Sequence, residues 1–598
     1  MTVAGGWILA PLVLAVVLVG WGLLVDAAVR SSVPAALVPG IGLSAVIVAG
    51  GLGILVAPRV VAPVIAVGAL TGFWAGRRRL TALDRGVMGA AALAAGGTYI
   101  VYALPTVVHG GVLAGFGRLD DSSTWLALTD NLLTHGREVP ALGPSTYPQV
   151  LRDYLDTGYP LGSLLPVALT ARLSGQDAAN VFQPVIAVYG SVMACSLWAV
   201  ARSLIPSPAA GAAAALVAAQ ASLVFGYAQW GGIKEVASAA LVATVAPLAV
   251  LAWRRDGART MVLVIISCGA LAGVLGVDGA PWALPAGLVA LAGWLRARGR
   301  PLPWRPLAGL SVLAVFVAVP ALVALELLKV SPLPGNEIVG AERFGRLLGV
   351  LNPLQAAGIW PQADFRTDAV SPFLSGLLSV VVLAAALAGA AAGARARVFA
   401  PAVLLAIAGS GAALIVVLGT PWIDAKAYAV LSPMVLLVAL GTLVRAGMTA
   451  LVPVGRPPAS LAAFPVLAAV VVGVTVSTVA VTLDTPVAPR GEFAELARIG
   501  DRFAGQGPTL VLSDAVYASR HFLREADVEG ASDRRVRFVY LRSGMVAPNY
   551  SDVRVDAVAP ADLAVYRTLV RRQGAPGTPP PAYAKRFDGR YWEVWQQR

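Results

Sequence analysis

The chain has 598 residues, 58% of them hydrophobic and only 13% charged, with 63 Gly and a mean hydropathy of +0.76. A soluble protein carries roughly a quarter charged residues, and the apolar excess here comes in runs of about 20 residues, the length that crosses a bilayer core of about 30 Å. Those figures exclude intrinsic disorder, a soluble multidomain enzyme and a secreted disulfide scaffold. Cys195 and Cys268, the two cysteines, both sit in apolar runs and offer neither a disulfide framework nor a metal cluster. The net charge of +13 rests on 45 basic residues, all Arg except Lys234, Lys329, Lys426 and Lys585. This Arg and Ala bias points to a GC-rich bacterial genome. Much of the charge lies in short loops between apolar segments, where it sets membrane orientation rather than binding nucleic acid.

Three apolar windows open the chain, at 7–25, 34–56 and 60–76, forming extra N-terminal helices within residues 1–86. A window at 87–108 begins the main membrane module, residues 87–483. It continues through 179–203, 209–228, 234–253, 261–277, 279–295, 306–328, 371–391, 398–418, 425–445 and 461–483. The expected architecture is a polytopic α-helical membrane protein of about fourteen transmembrane helices. Short loops rich in Arg, at 77–85, 254–259, 296–305, 395–397 and 445–456, mark the cytoplasmic side. Residues 159–175 are apolar too, yet at about 15 apolar residues they are short for a crossing. Counting them as a span would turn every later basic loop outward, so they are expected as a helix along the outer interface. Both termini are then outside.

Three sizeable pieces fall on the outer face: a first loop at 109–178, a second at 329–370, and a C-terminal domain at 484–598. The tail carries 17 basic and 14 acidic residues and reads as a small α/β domain. Strands are expected near 508–513, 535–541 and 591–596, and helices near 492–504 and 560–572. Gly574 to Pro581 reads as a linker.

Candidate chemistry concentrates on the outer side. Asp120 and Asp121 follow the span at 87–108 and precede an amphipathic run with Trp125, Leu128, Leu132 and Leu133 on one face. One carboxylate can cap that helix, which leaves the other facing a cleft. In a chain that writes its basic residues as Arg, Lys234, Lys329 and Lys426 all fall beside spans on the outer face. A lysine holds phosphate as a point charge on a flexible stem. Trp230 and Glu235 flank Lys234, while Trp422 and Asp424 flank Lys426. Arg343 and Arg346 in the second loop are further phosphate candidates. Asp278, in GVDGAPW, can bond a sugar hydroxyl or simply form a turn, and Glu326 is expected to face the bundle because a lipid-facing carboxylate is costly. No spacing matches a zinc site, a Walker A loop or a dinucleotide fingerprint.

An acidic pair that emerges from the membrane and opens a long first outer loop resembles the GT-C superfamily of multi-spanning glycosyltransferases. Tyr159-Pro160-Leu161-Gly162, followed by an apolar helix, is similar to a segment of protein O-mannosyltransferases, with Tyr where those enzymes usually carry His. The resemblance covers residues 87–484. It implies a polyprenyl-phosphate sugar as donor, a cell-envelope glycan, glycolipid or protein as acceptor, and inversion at the anomeric carbon. It also implies an Asp of the first loop as general base, with Asp120 the first choice and Asp121 the alternative. Tyr159 enters the substrate site on the same ground. Some members use Mg²⁺ or Mn²⁺, which Asp120 or Asp121 would hold; no tightly held structural metal is expected. Localisation would be the bacterial plasma membrane, with the site and the tail extracytoplasmic. Two other classes stay open: a secondary transporter or flippase, and a non-catalytic scaffold that binds envelope polymers.

Overall fold

A computed structural model of the chain describes residues 3–31, 33–81, 84–116, 121–254, 256–299, 301–330, 344–450, 463–533 and 535–598. Three helices open it: α1 (Ala10–Val29), α2 (Val38–Val56) and α3 (Val61–Thr81). They pack through glycines. A Cβ on Gly42 of α2 would stand 1.7 Å from the Leu18 carbonyl oxygen of α1, and one on Gly72 of α3 would stand 1.8 Å from that of Gly20. Between apolar helices in lipid, such close approach supplies the van der Waals contact that holds them together. At the far end of α1, buried Asp26 pairs with Arg79 and accepts hydrogen bonds from Ser31 Oγ at 2.7 Å and Val33 N at 3.2 Å.

After α4 (Arg85–Ala91) and α5 (Gly97–Val108) comes the first loop, with strand β1 (Gly111–Ala114) and helices α6 (Asp121–His135), α7 (Thr146–Leu155) and α8 (Leu165–Ser174). The bundle resumes with α9 (Ala178–Ala201), then α10 (Pro208–Ala218) and α11 (Ser222–Gln229), then α12 (Ile233–Leu251). Next are α13 (Ala258–Leu275), α14 (Ala280–Arg298) and α15 (Trp304–Val330). Beyond the second loop lie α16 (Pro372–Arg395), α17 (Ala400–Leu418), α18 (Pro421–Ala450) and α19 (Ala463–Asp484). Helices α9 and α12 form the axis, each with 89% of its span buried, against 17% for α15 and 28% for α16 and α19. Ser196 and Thr244 join the two axial helices through a 2.8 Å hydroxyl–hydroxyl hydrogen bond.

Among the described residues twelve helical runs are long and apolar enough to cross a membrane, or thirteen if the α10–α11 pair, bent by 59°, counts as one. The expected fourteen is reached by counting that pair as one span and the windows at 261–277 and 279–295, which fall in a single run, Ala258–Arg298, as two. That run turns back at Gly276, which has φ 65° and ψ −137°. Its two arms touch: Cys268 Sγ donates to the Ala283 carbonyl at 3.4 Å. The segment at 159–175 is not among the runs long enough to cross, as expected, but it does not lie along a surface. Its helix, α8, has ten residues and is buried from Leu165 to Thr170. A helix that is apolar all round gains by burial on every face, so α8 packs against α1, α2 and α9 instead of lying along a surface. Glu326 does not face the bundle; it is exposed and takes a 2.7 Å bond from exposed Lys329.

The tail begins with β2 (Val487–Pro489), which pairs antiparallel with β1, and α20 (Arg490–Phe503). A five-stranded sheet follows in the order β4-β3-β5-β7-β6, built from β3 (Thr509–Val511), β4 (Val528–Gly530), β5 (Thr568–Arg572), β6 (Tyr583–Asp588) and β7 (Trp592–Gln597). Strand β3 runs parallel to β4 and β5; β7 is antiparallel to β5 and β6. Glu495 of α20 ties the last strand down by accepting the N–H groups of Arg590, Tyr591 and Trp592 at 2.9, 3.0 and 2.7 Å. Two expected elements are corrected. Residues 535–541 make only isolated bridges. The helix foreseen over 560–572 stops after Pro560–Leu563, the short α21, because Thr568, Leu569 and Val570 are buried between β3 and β7 as strand.

Gly42→Val should strip about 2–3 kcal/mol of stability by forcing α1 and α2 apart, whereas Gly89→Ala, with nothing within 4 Å of its added Cβ, should be neutral. Thermal unfolding of both variants in mild detergent checks this, and equal midpoints would refute the close-packing argument.

Candidate active site

Arginines gather where α3, α9, α12, α14 and α16 end, and the opposite end of the bundle holds the first turns of α6, α12 and α18. Asp121 is the first residue of α6, half-buried, where an acidic side chain is favoured by the helix dipole. The turn into α12 is tight: Gly231 has φ +81°, and a Cβ there would lie 2.4 Å from Ser122 Oγ. That approach sets Lys234, the second residue of α12, against the aromatic residues of the first loop. Its Nζ lies 3.7 Å from the Tyr159 ring centroid and 5.8 Å from that of Trp125. The two rings stack at 4.9 Å and 22°, with Tyr154 edge-on to both. The electron-rich face of an aromatic ring attracts a cation placed over it.

Around this ammonium stand Asp121, Glu235, Asp278 and Lys426, all in electrostatic contact with it. Glu235 is buried and receives Lys426 Nζ at 3.4 Å. Asp278 occupies the turn between α13 and α14. Asp424, in the first turn of α18, has one carboxylate oxygen buried without a hydrogen-bond partner among the described residues. Burial pushes the Tyr159 hydroxyl well above its usual pKa, with Asp121, Tyr154, Glu235 and Asp278 adding to the effect. Tyr159 therefore remains a hydrogen-bond donor.

The structure thus brings Asp121, Tyr159, Lys234, Glu235, Asp278 and Lys426 to one place. Asp120 and Arg343 lie outside the described residues. Trp230 is packed away, 4% exposed, with Phe365 at 4.7 Å and the Arg366 guanidinium 4.5 Å above its ring. Arg366 is itself clamped by Asp364, with contacts of 2.6 to 3.1 Å. Arg346 sits nearer the tail, its carbonyl accepting from Arg366 at 3.0 Å and its guanidinium 5.9 Å from the Tyr550 ring centroid. Trp125 and Tyr154 were not foreseen as part of the site; the Trp125–Tyr159 stack, 34 residues apart in sequence, has no local signature. Among the described residues no group of three His, Cys, Asp or Glu side chains is placed to hold a metal.

A second set of contacts fixes the tail to this end of the bundle. Arg520, only 2% exposed, donates to Ser123 Oγ at 3.3 Å, Thr124 Oγ1 at 3.0 Å and Asp533 at 3.3 Å. Fully buried His521 is held by Asp130 at 2.6 Å and by Asp177 at 3.0 Å. Asp177 also caps α9 by accepting from Ala179 N at 2.8 Å. Phe116 of the first loop meets Phe493 of the tail edge-on and Tyr517 at a tilt. Burial opposes a charge on His521, but Asp130 and Asp177 together outweigh it and raise the imidazole to about 9. Burial likewise works against the Asp177 carboxylate, yet His521 and the Ala179 N–H bring it down to about 2.

No protein-family model matches the chain, and no curated protein matches it either. Among solved structures it is similar to ArnT from Cupriavidus metallidurans, whose crystal structure has undecaprenyl phosphate bound, with 14% sequence identity and a TM-score of 0.45 over 85% of this chain and 97% of that one.

The tail anchor should depend on pH in a defined direction. The folded pKa of His521 is raised, so its contribution is complete below about 6.5, the free-histidine value, and is lost as pH rises through about 9. The folded pKa of Asp177 is depressed, so its share is lost as pH falls through about 2. Docking is then firmest between about pH 4 and 6.5. Hydrogen exchange at residues 518–524, corrected for intrinsic rates, should show protection falling from pH 6 to 10, and Asp130→Asn should move that fall to lower pH. Unchanged protection across this range would contradict the assignment.

Proposed function

We propose that the chain is a GT-C-type membrane glycosyltransferase that moves a sugar from a polyprenyl-phosphate donor to a hydroxyl of a cell-envelope glycan, glycolipid or protein. The observation that carries this reading is the convergence of Asp121, Lys234, Glu235, Lys426 and the Trp125–Tyr159 stack at one end of a helical bundle. The arginines at the opposite end support a cytoplasmic side there, and with it a reacting end on the extracytoplasmic side of a bacterial plasma membrane. There a donor phosphate would lie between the lysine ammonium groups, and a sugar ring against the aromatic stack.

The acceptor oxygen attacks the anomeric carbon as the bond from that carbon to the phosphate oxygen breaks, with inversion. The acceptor proton passes to a carboxylate of the Asp120–Asp121 pair, and the phosphate charge left on the lipid is held by Lys234 and Lys426. Glu235 orients Lys426, and the Tyr159 hydroxyl can donate to a sugar or phosphate oxygen. The donor set suits a phosphate better than Mg²⁺ or Mn²⁺: two ammonium groups already stand among the carboxylates, where a divalent cation would be repelled. Transport is less well supported, because the polar groups gather at one end of the bundle and not at the midplane.

Asp120→Asn and Asp121→Asn should each be compared with Lys234→Met and Lys426→Met for transfer from a labelled polyprenyl-phosphate sugar. Loss of the base should cost about 10²–10⁴-fold in kcat, and loss of either lysine should raise KM for the donor. Full activity in both Asn variants would rule the reading out.

A further inference from the structure

The tail has a cleft of its own. It encloses about 210 Å³ and is lined by Asp514, Arg520, Ser532, Asp533, Arg535, Asn549 and Tyr550. Its position follows from the sheet. Asp514 lies three residues beyond the end of β3, and Ser532 and Asp533 lie two and three beyond β4, so the cleft opens outside the carboxyl ends of two parallel strands. Open α/β sheets bind ligands in that crevice. Asn549 and Tyr550 close the other side from an exposed loop, with Tyr550 60% exposed. Tyr550 is also held at φ +52°, a conformation costly for a bulky residue and found where surrounding structure imposes it.

The lining carries the chemistry of sugar recognition. An open aromatic ring offers a face for the C–H surface of a pyranose or furanose, and carboxylate and amide groups accept and donate to neighbouring hydroxyls. Charge narrows the choice. Asp514 and Asp533 balance Arg520 and Arg535, and both arginines are already bonded to carboxylates: Arg520 to Asp533, Arg535 to Asp533 and Asp153. Among the described residues, both arginines that line the cleft are thus drawn onto carboxylates, which offsets their attraction for a phosphate or uronate, whereas a neutral polyol needs no such charge.

The cleft is also joined to the reacting end. Arg520 lines it and at the same time bonds Ser123 and Thr124, two and three residues after Asp121. Arg346 of the second loop approaches Tyr550 from the same side. We infer that this cleft binds a neutral glycan chain, and that in doing so it presents the chain's growing end to the site of sugar transfer. The second half of this inference rests on the proposed glycosyltransferase reading; the first half does not.

Binding is therefore measured apart from transfer. The full chain, in lipid nanodiscs, is applied to an array of neutral and uronate-containing oligosaccharides of three or more sugars. Neutral oligosaccharides should be retained by wild type, lost at least tenfold in Tyr550→Ala and Asn549→Ala, and kept in Tyr550→Trp, which preserves the aromatic face. Retention of acidic sugars only, no retention of any neutral sugar, or equal retention by Tyr550→Ala would overturn the assignment. Transfer assays add a second arm: Tyr550→Ala should raise KM for a long glycan acceptor and leave kcat with a short alkyl glycoside unchanged. Equal loss with both acceptors would also count against the cleft. Absence of transfer by wild type, with glycan binding intact, would instead count against the glycosyltransferase reading.

Discussion

Two cations that could not remain buried alone, Arg520 and His521, determine how the tail meets the bundle. Each carries a charge into a region nearly closed to water, and a buried charge persists only when it is paired and hydrogen-bonded. Their partners come from α6, from the start of α9 and from the tail itself. The two residues thus fix three segments at once. The first turn of α6, which Arg520 holds, is also the turn that begins with Asp121. Removing one partner from such a set leaves an unpaired charge inside, at a cost of about 3–5 kcal/mol. The position of the acidic residue is accordingly as firm as the seating of a domain almost four hundred residues away.

Arginine and lysine divide the remaining work by their chemistry. Arginines at the reacting end are spent on structure: Arg366 forks onto Asp364 beneath the second loop, Arg520 onto the first turn of α6, and Arg571 onto Glu593 within the sheet. A planar guanidinium suits such fixed, two-point contacts. The lysines are held more loosely. Lys234 rests on aromatic faces, and Lys426 meets Glu235 at 3.4 Å with Trp422 beneath it. A compact ammonium on a flexible stem can change partners, as the proposed phosphate-binding role would require.

Much of the helical architecture was legible, because span length is set by bilayer thickness and is written locally in the chain. The hairpin at Gly276 was readable as two windows, and its arms are the two helices α13 and α14. In the tail the strand at 568–572 was misread as helix, since its burial comes from β3 and β7, far away in sequence. The candidate site shows the same division. Asp121, Lys234, Glu235, Asp278 and Lys426 could be singled out because polar residues are scarce beside apolar spans. Trp230 was singled out for the same reason and proves to be covered by Phe365 and Arg366. Arg520 and His521 offered no signal, because their partners Ser123, Thr124, Asp130 and Asp177 are 344 to 397 residues distant.

Of the helices that begin at the reacting end, α6, α12 and α18 each have one carboxylate in the first turn: Asp121, Glu235 and Asp424. Free N–H groups and the aligned peptide dipoles give each of these ends a partial positive charge. Without a bound anion, the three carboxylates offset those dipoles and the ammonium groups of Lys234 and Lys426, so little net charge is held away from water. On the proposed reading, a phosphate entering this place would compete with the carboxylates for these cations. Binding of a lipid phosphate would then be an exchange of partners, with Lys426 turning from Glu235 toward the phosphate. The same exchange would release phosphate again once the sugar has left, because the carboxylates remain in place to reclaim the cations.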